Sequence, residues 1–220
     1  SYREAKRPDT EAVRLTPLQQ KLAGLEKALP SALAKRGTAL VLSVVVMLAA
    51  FVGLGGAKVR GKYNEARKWY TTGVSADNGY NLSEELTTRA NTAANIITTG
   101  TNTLGADHAE VLAAQDALTA FQNDLEGLNA GKTRMHAVYE DNTALGAAID
   151  QLYAKLQEQA ADPMKMGAVQ GQYGQFNSAG TIISTLQYNS AVYDYQNDVG
   201  GFPANVLGGL FGVQEVEPFA

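Results

Sequence analysis

The chain has 220 residues, 45% of them apolar and 18% charged, with a net charge of −4 at pH 7. That leaves room for one main domain with appendages and excludes a disordered polyelectrolyte. There is no cysteine and there are only two histidines, His108 and His136. A disulfide framework, a thiol nucleophile and an iron–sulfur cluster are therefore excluded, most zinc sites lack ligands, and the acidic balance argues against general nucleic-acid affinity.

The charge is uneven along the chain. Residues 1–36 carry eight Lys and Arg against four acids, and residues 58–220 carry ten against eighteen. In the basic arm, Leu15, Leu18, Leu22, Leu25 and Leu29 recur every three or four residues. They predict an amphipathic helix from Thr16-Pro17 to Pro30, with Lys21 and Lys27 on its polar side. An anionic membrane surface and a partner subunit fit this arm equally well. Ser1 in place of Met suggests a start already trimmed.

Gly37–Ala57 holds no charge over 21 residues. At 1.5 Å per residue it makes about 31 Å of helix, close to the ~30 Å hydrocarbon thickness of a bilayer. Core helices this apolar run roughly 10–14 residues, and the apolar stretch of a cleaved leader roughly 7–15. A single retained signal-anchor span is the preferred reading. Lys21, Lys27, Lys35 and Arg36 precede it, and Lys58, Arg60, Lys62, Arg67 and Lys68 follow it, so basic residues do not decide its orientation. The acidic bulk leans the larger region to the extracytoplasmic side.

The rest reads as helices. The span continues through Lys58–Thr72, with Tyr63, Ala66 and Tyr70 on one face, and Gly73–Gly79 is a loop. A helix over Leu82–Ile97 starts near Asn81 or Ser83, and 100–105 is a mobile connection. Leu112, Leu118, Phe121, Leu125 and Leu128 mark a helix over Asp107–Leu128 with Asp107 as N-cap. Leu145, Ile149, Leu152 and Leu156 mark an antiparallel neighbour over Thr133–Ala160, ended by Asp162-Pro163. A long helix follows from Met166 to Val199, where Gly171, Gly174 and Gly180 weaken propensity or permit close contact. No stretch alternates in the manner of a strand. The expected fold is all-α: an extended up-down four-helix bundle with an N-terminal transmembrane helix and an amphipathic leading arm. The domains are 1–36 (arm), 37–57 (span), 58–199 (bundle) and 200–220 (apolar tail packing on the bundle or a neighbour).

In the carboxyl-terminal stretch, Tyr188, Val192, Tyr195 and Val199 form one buried stripe. Gly200-Gly201 ends the helix, Phe202-Pro203 forces an extended turn, and Asn205–Leu210 makes a short helix capped by Gly208 or Gly209. The tyrosines read first as a clasp that locks the terminus to the bundle.

This stretch closely resembles the carboxyl end of the LemA family, which carries YN-x-AV-x-x-YN, then FP-x-N, then a Gly-Phe-containing tail. Tyr188-Asn189, Ala191-Val192, Tyr195, Phe202-Pro203, Asn205, Gly212 and Phe219 occupy the corresponding positions. Gln196 stands where the second Asn is usual, and Phe211-Gly212 inverts the Gly-Phe order. Tyr63-Asn64, followed by Ala66 and Trp69, is similar to the family's start after the span. The resemblance implies a bacterial inner-membrane protein with one span and a four-helix bundle.

Reactive constellations are not evident in the sequence. His108 has no second histidine four residues on, and His136 with Glu140 reads as an i,i+4 pair. Glu84-Glu85 and Glu140-Asp141 read as solvated faces. Phosphate-cradling loops and nucleophile elbows are missing. No catalytic, cofactor-binding or metal residue is expected, and the chain is not expected to be an enzyme. The expected function is a membrane-anchored scaffold that assembles in the membrane plane as a homo-oligomer or in a membrane complex, Gly53, Gly55 and Gly56 allowing close approach between neighbours. A second reading is a ligand- or peptide-binding module along Tyr173, Tyr188, Tyr193 and Tyr195. A third is an adaptor for a membrane protease.

Overall fold

The computed structural model describes residues 36–159 and 163–220. The leucine-striped arm and Asp162 lie outside the described residues. Those described are helical, with no strand among them, and they divide into two compact units at Phe51–Val52. The first unit contains the beginning of α1 (Arg36–Thr71), a single uninterrupted helix. From Leu40 to Phe51 its large apolar side chains are 44–66% exposed. It has a window of mean hydropathy 2.5 that is only 6% buried, and is the one described helix long and apolar enough to cross a membrane.

In the second unit, α1 buries Val59 and Ala66 and leaves Tyr63 and Tyr70 half-buried. A 3-10 turn, Ser75–Asp77, lies inside the expected loop. Then α2 (Leu82–Leu104) starts where Asn81 Oδ1 accepts the Glu84 N–H at 2.9 Å, an N-cap of the expected kind. It runs past Ile97, through what the sequence reads as a mobile connection, to Gly105 at φ 101°. The reason is tertiary. A Cβ at Gly100 would lie 2.9 Å from Leu152 Cδ1, so the glycine is a close-packing site rather than a break.

The next pair is α3 (Ala109–Asn129) and α4 (Met135–Gln159), joined through Gly131 at φ 69°. The N-cap of α3 is His108, not Asp107, and its side chain makes no capping bond. Leu112 is exposed, and Val111 and Ala114 are buried in its place. Leu118, Phe121 and Leu125 are buried as the spacing predicts, so only the first turn of the stripe differs. On α4, Val138, Leu145, Ile149, Leu152 and Leu156 are fully buried. α2 packs chiefly on α5 (Pro163–Thr185) and α3 on α4, and α2 also contacts α3 and α4.

The single helix expected over Met166–Val199 is two helices, α5 and α6 (Tyr188–Val199), separated at Leu186–Gln187. The buried Asp77 carboxylate takes the Gln187 N–H at 3.1 and 3.3 Å. An acceptor from outside the helix thus supplies a cap at a helix start, where an anion is favoured. Asp77→Ala is expected to cost about 1–2 kcal/mol, read as a lowered urea midpoint of the detergent-solubilised chain. Asp77→Asn is expected to recover part of it.

Among the glycines singled out on α5, Gly171 and Gly174 face open space, whereas a Cβ at Gly180 would lie 2.3 Å from Arg89 Nη1. Phe202-Pro203 is a cis peptide bond rather than an extended turn. It leads into α7 (Ala204–Leu210), which runs through Gly208 and Gly209 instead of being capped there, and the chain turns off at Gly212, φ 65°.

Glu85 is buried at 6% exposure, not on a solvated face, because it lies one turn before Arg89 on the inner side of α2. Burial, with Glu84 alongside, raises its carboxyl above the ordinary range. An acid raised by folding releases its proton first in the unfolded chain, so its stabilising contribution is present at low pH and is lost as pH rises through the raised value. Glu85→Gln is expected to stabilise the chain near pH 7. Paired thermal melts should show this gap closing as pH falls towards the ordinary carboxylate range.

Candidate functional site

The tyrosine-rich end of the chain is built around its last eight residues. From Val213 onward the chain has no regular secondary structure, and it is held by side chains of α4 and α6. The Tyr188 hydroxyl donates to the Glu217 carbonyl at 2.8 Å. The Asn189 carboxamide clamps Phe219, donating to its carbonyl at 3.0 Å and accepting its N–H at 2.7 Å. Gln196 donates to the Val216 carbonyl at 2.9 Å. Each partner satisfies a part-buried backbone group of the tail. Val216 and Phe219 are buried, and the Phe219 ring meets Tyr139 edge-on at 5.2 Å. Glu217 takes Arg134 at 2.6–2.7 Å and the Met135 N–H at 2.9 Å, placing an anion at the start of α4. The His136 Nδ1 lies 2.5 Å from the Ala220 carbonyl.

Beside this clasp opens a groove of about 710 Å³, lined among others by Tyr63, Arg67, Tyr70, Arg134, Tyr188 and Glu217. Tyr70 donates to Asn129 Oδ1 at 3.0 Å and tilts against Tyr188, ring centroids 6.4 Å apart. Tyr63 meets Tyr195 at 6.3 Å, with the Arg67 guanidinium 5.8 Å over its face. Burial pushes the Tyr188 hydroxyl well above the ordinary phenol range, helped by Tyr70 and Glu217, so it remains a donor at any working pH. The groove offers aromatic faces and the Arg67 guanidinium as a point for a carboxylate, the Arg134 guanidinium being held by Glu217.

A second polar centre lies among α2, α4 and α5. Arg89, 7% exposed, donates from Nε to Asn142 Oδ1 at 2.7 Å and from Nη1 to the Phe176 carbonyl at 3.1 Å. Its guanidinium stacks 3.9 Å from the Phe176 ring centroid. No carboxylate pairs with it among the described residues. Desolvation, only partly offset by Asp150, lowers its pKa to about 10. Gly146 and Gly180 leave the space that the guanidinium fills.

Of the residues singled out from the sequence, Tyr63, Tyr188, Asn189, Val192 and Tyr195 come together around the clasp. Phe202, Pro203 and Asn205 lie apart at α7, Phe202 being 85% exposed. Asn64 is exposed. The groove touches Tyr188 alone of the four tyrosines expected to line a pocket. Tyr173 instead stacks on Tyr153 at 3.8 Å and donates to Asp150, Tyr195 packs on Tyr63, and Tyr193 is about half exposed. Gly55 and Gly56, expected to meet a neighbouring chain, abut this chain's own Leu207 and Phe211. His136 and Glu140 form the expected i,i+4 pair at 3.5 Å, and His108 lies 2.8 Å from Glu110. No group of three His, Cys, Asp or Glu among the described residues is placed to hold a metal.

Arg89, Asp77, Gln196 and Glu217 were not anticipated. Arg89 had a signal: it is a charge within the apolar stripe Leu82, Leu86, Ala93 and Ile96. Comparison of the chain with protein-family models, curated proteins and solved structures finds no match.

Proposed function

We propose that the chain is a single-pass, membrane-anchored, non-catalytic scaffold of the LemA type, in which α2–α5 form an up-down four-helix bundle and copies assemble in the plane of a bacterial inner membrane. The observation that carries this reading is the row of exposed leucines and valines on α1. In water such a surface is costly, and a bilayer removes the cost. A second support is that the buried polar side chains Asp77 and Arg89 are engaged in joining helices, and Tyr188, Asn189 and Glu217 in holding the tail to them. Confinement to a plane raises effective concentration, favouring assembly without tight pairwise affinity. Native mass measurement of the reconstituted full chain tests it, and a strict monomer at every surface density overturns it. Protease accessibility in sealed vesicles tests the lean of the helical unit to the outer face.

The groove favours a second reading, a tethered module for an acidic peptide. Calorimetry with peptides ending in a carboxylate tests it: binding abolished by Arg67→Ser with the fold retained supports it, and no heat at any concentration removes it.

A further inference from the structure

The segment from Val199 to Gln214 contains no charged residue, yet only part of it faces the protein. In α7, Leu207 and Gly208 are buried, Gly208 lying near Val59. A Cβ at Gly55 would fall 2.8 Å from Leu207 and one at Gly56 2.0 Å from Phe211, so the glycines admit α7 and its following residue flush against α1. Arg60 fixes the end by donating to the Phe211 carbonyl at 3.0 Å. On the other side Phe202, Val206 and Leu210, spaced four apart, are 85%, 54% and 68% exposed. Leu54, one residue before Gly55, is 76% exposed. Gly55 and Gly56 belong to the uncharged run 37–57, and exposed Lys58 and Arg60 follow at once.

We propose that Phe202, Val206 and Leu210 form an apolar wedge that enters the headgroup–acyl boundary of the bilayer beside the emerging span. This rests on the reading of α1 as a membrane span. The occupant is lipid because α7 packs at Gly55 and Gly56, the last turn of the uncharged run 37–57, where Leu54 stands exposed beside it. The adjoining cations are those that anionic headgroups attract, and their stems reach from apolar depth to the charged surface. A short helix with one side on protein and the other uncharged and apolar lies flat in such an interface. The wedge gives the helical unit a second attachment and restrains its rotation about the span.

The chain's lack of cysteine makes the test clean. Single variants Val206→Cys, Leu210→Cys, Tyr193→Cys and Met47→Cys carry nitroxide labels on the full chain, reconstituted in phosphatidylcholine vesicles doped with phosphatidylglycerol. Collisions with oxygen, which concentrates in lipid, are compared with those of a water-soluble nickel chelate present on both faces. The expected result is an oxygen-to-nickel ratio at 206 and 210 severalfold above that at 193 and approaching that at 47. Equal nickel access at 206, 210 and 193, with 47 shielded, overturns the wedge and leaves the span standing. Nickel access at 47 overturns the span and the wedge together. Labels at 206 and 210 shielded from both reagents and dipole-coupled to a second copy overturn the wedge in favour of a copy–copy contact.

Discussion

Phe219→Ala is expected to lower the stability of the helical unit by about 3 kcal/mol, the lower end of the range for removing a buried phenylalanine. The ring sits at the margin of the core at 8% exposure, edge-on to Tyr139, so part of the space it leaves fills with water rather than remaining a void. The loss spreads because Phe219 is also where Asn189 closes two backbone hydrogen bonds. Without the ring to hold the tail, these bonds and that of Tyr188 to the Glu217 carbonyl compete with water. Urea unfolding of the detergent-solubilised chain, followed by the fluorescence of the one tryptophan, half-buried Trp69, measures the cost. A change below about 1 kcal/mol, within the scatter of ordinary substitutions, would make the tail a passenger instead of a clasp. Asn189→Ala and Phe219→Ala are expected to combine to less than their sum, since each removes the same attachment.

Arg89→Ala is expected to cost about 3 kcal/mol, and Arg89→Met about 1 kcal/mol or less. Alanine empties the space between Gly146 and Gly180 and strands Asn142 Oδ1 and the Phe176 carbonyl. Methionine strands the same acceptors but fills the space and keeps contact with the Phe176 ring. It also removes a charge whose pKa falls from 12.5 to about 10, a desolvation burden of roughly 3 kcal/mol. A base lowered by folding is held at a cost while protonated. That burden is complete below pH 10 and fades as pH rises towards the ordinary guanidinium value. Equal losses for the two variants would mean that the hydrogen bonds, not the filling, hold α2, α4 and α5 together.

Helices with strong apolar periodicity were legible in the sequence to within a few residues, because Leu145, Ile149, Leu152 and Leu156 allow only one inward face. Errors arose where distant residues overrule local preference. Gly100 reads as a breaker until Leu152 is beside it. The break at Leu186–Gln187 depends on Asp77, separated from Gln187 by 110 residues, and no window along the chain contains both. Gly55 and Gly56 read as a surface for another chain because nothing local announces that Leu207 and Phe211 return to cover them. For the clasp, the buried stripe Tyr188, Val192, Tyr195 and Val199 was visible in its spacing, whereas its object, an irregular tail held through backbone groups, leaves no periodic trace.

The pairing of α1 with α6 and α7 sets an order of events during synthesis. Tyr63 waits for Tyr195, Lys62 for Asp198 and Arg60 for the Phe211 carbonyl, across up to 151 residues, whereas α2–α5 find partners nearer along the chain, Arg89 reaching Phe176 across 87. Closing so long a loop is entropically costly and slow compared with local helix pairing. A released chain truncated before residue 188 is therefore expected to protect α2–α5 from pulse proteolysis while the stretch from Val59 to Tyr70 is still cut. Emergence of the stretch from Tyr188 onward is then the event that seals the root of the anchor.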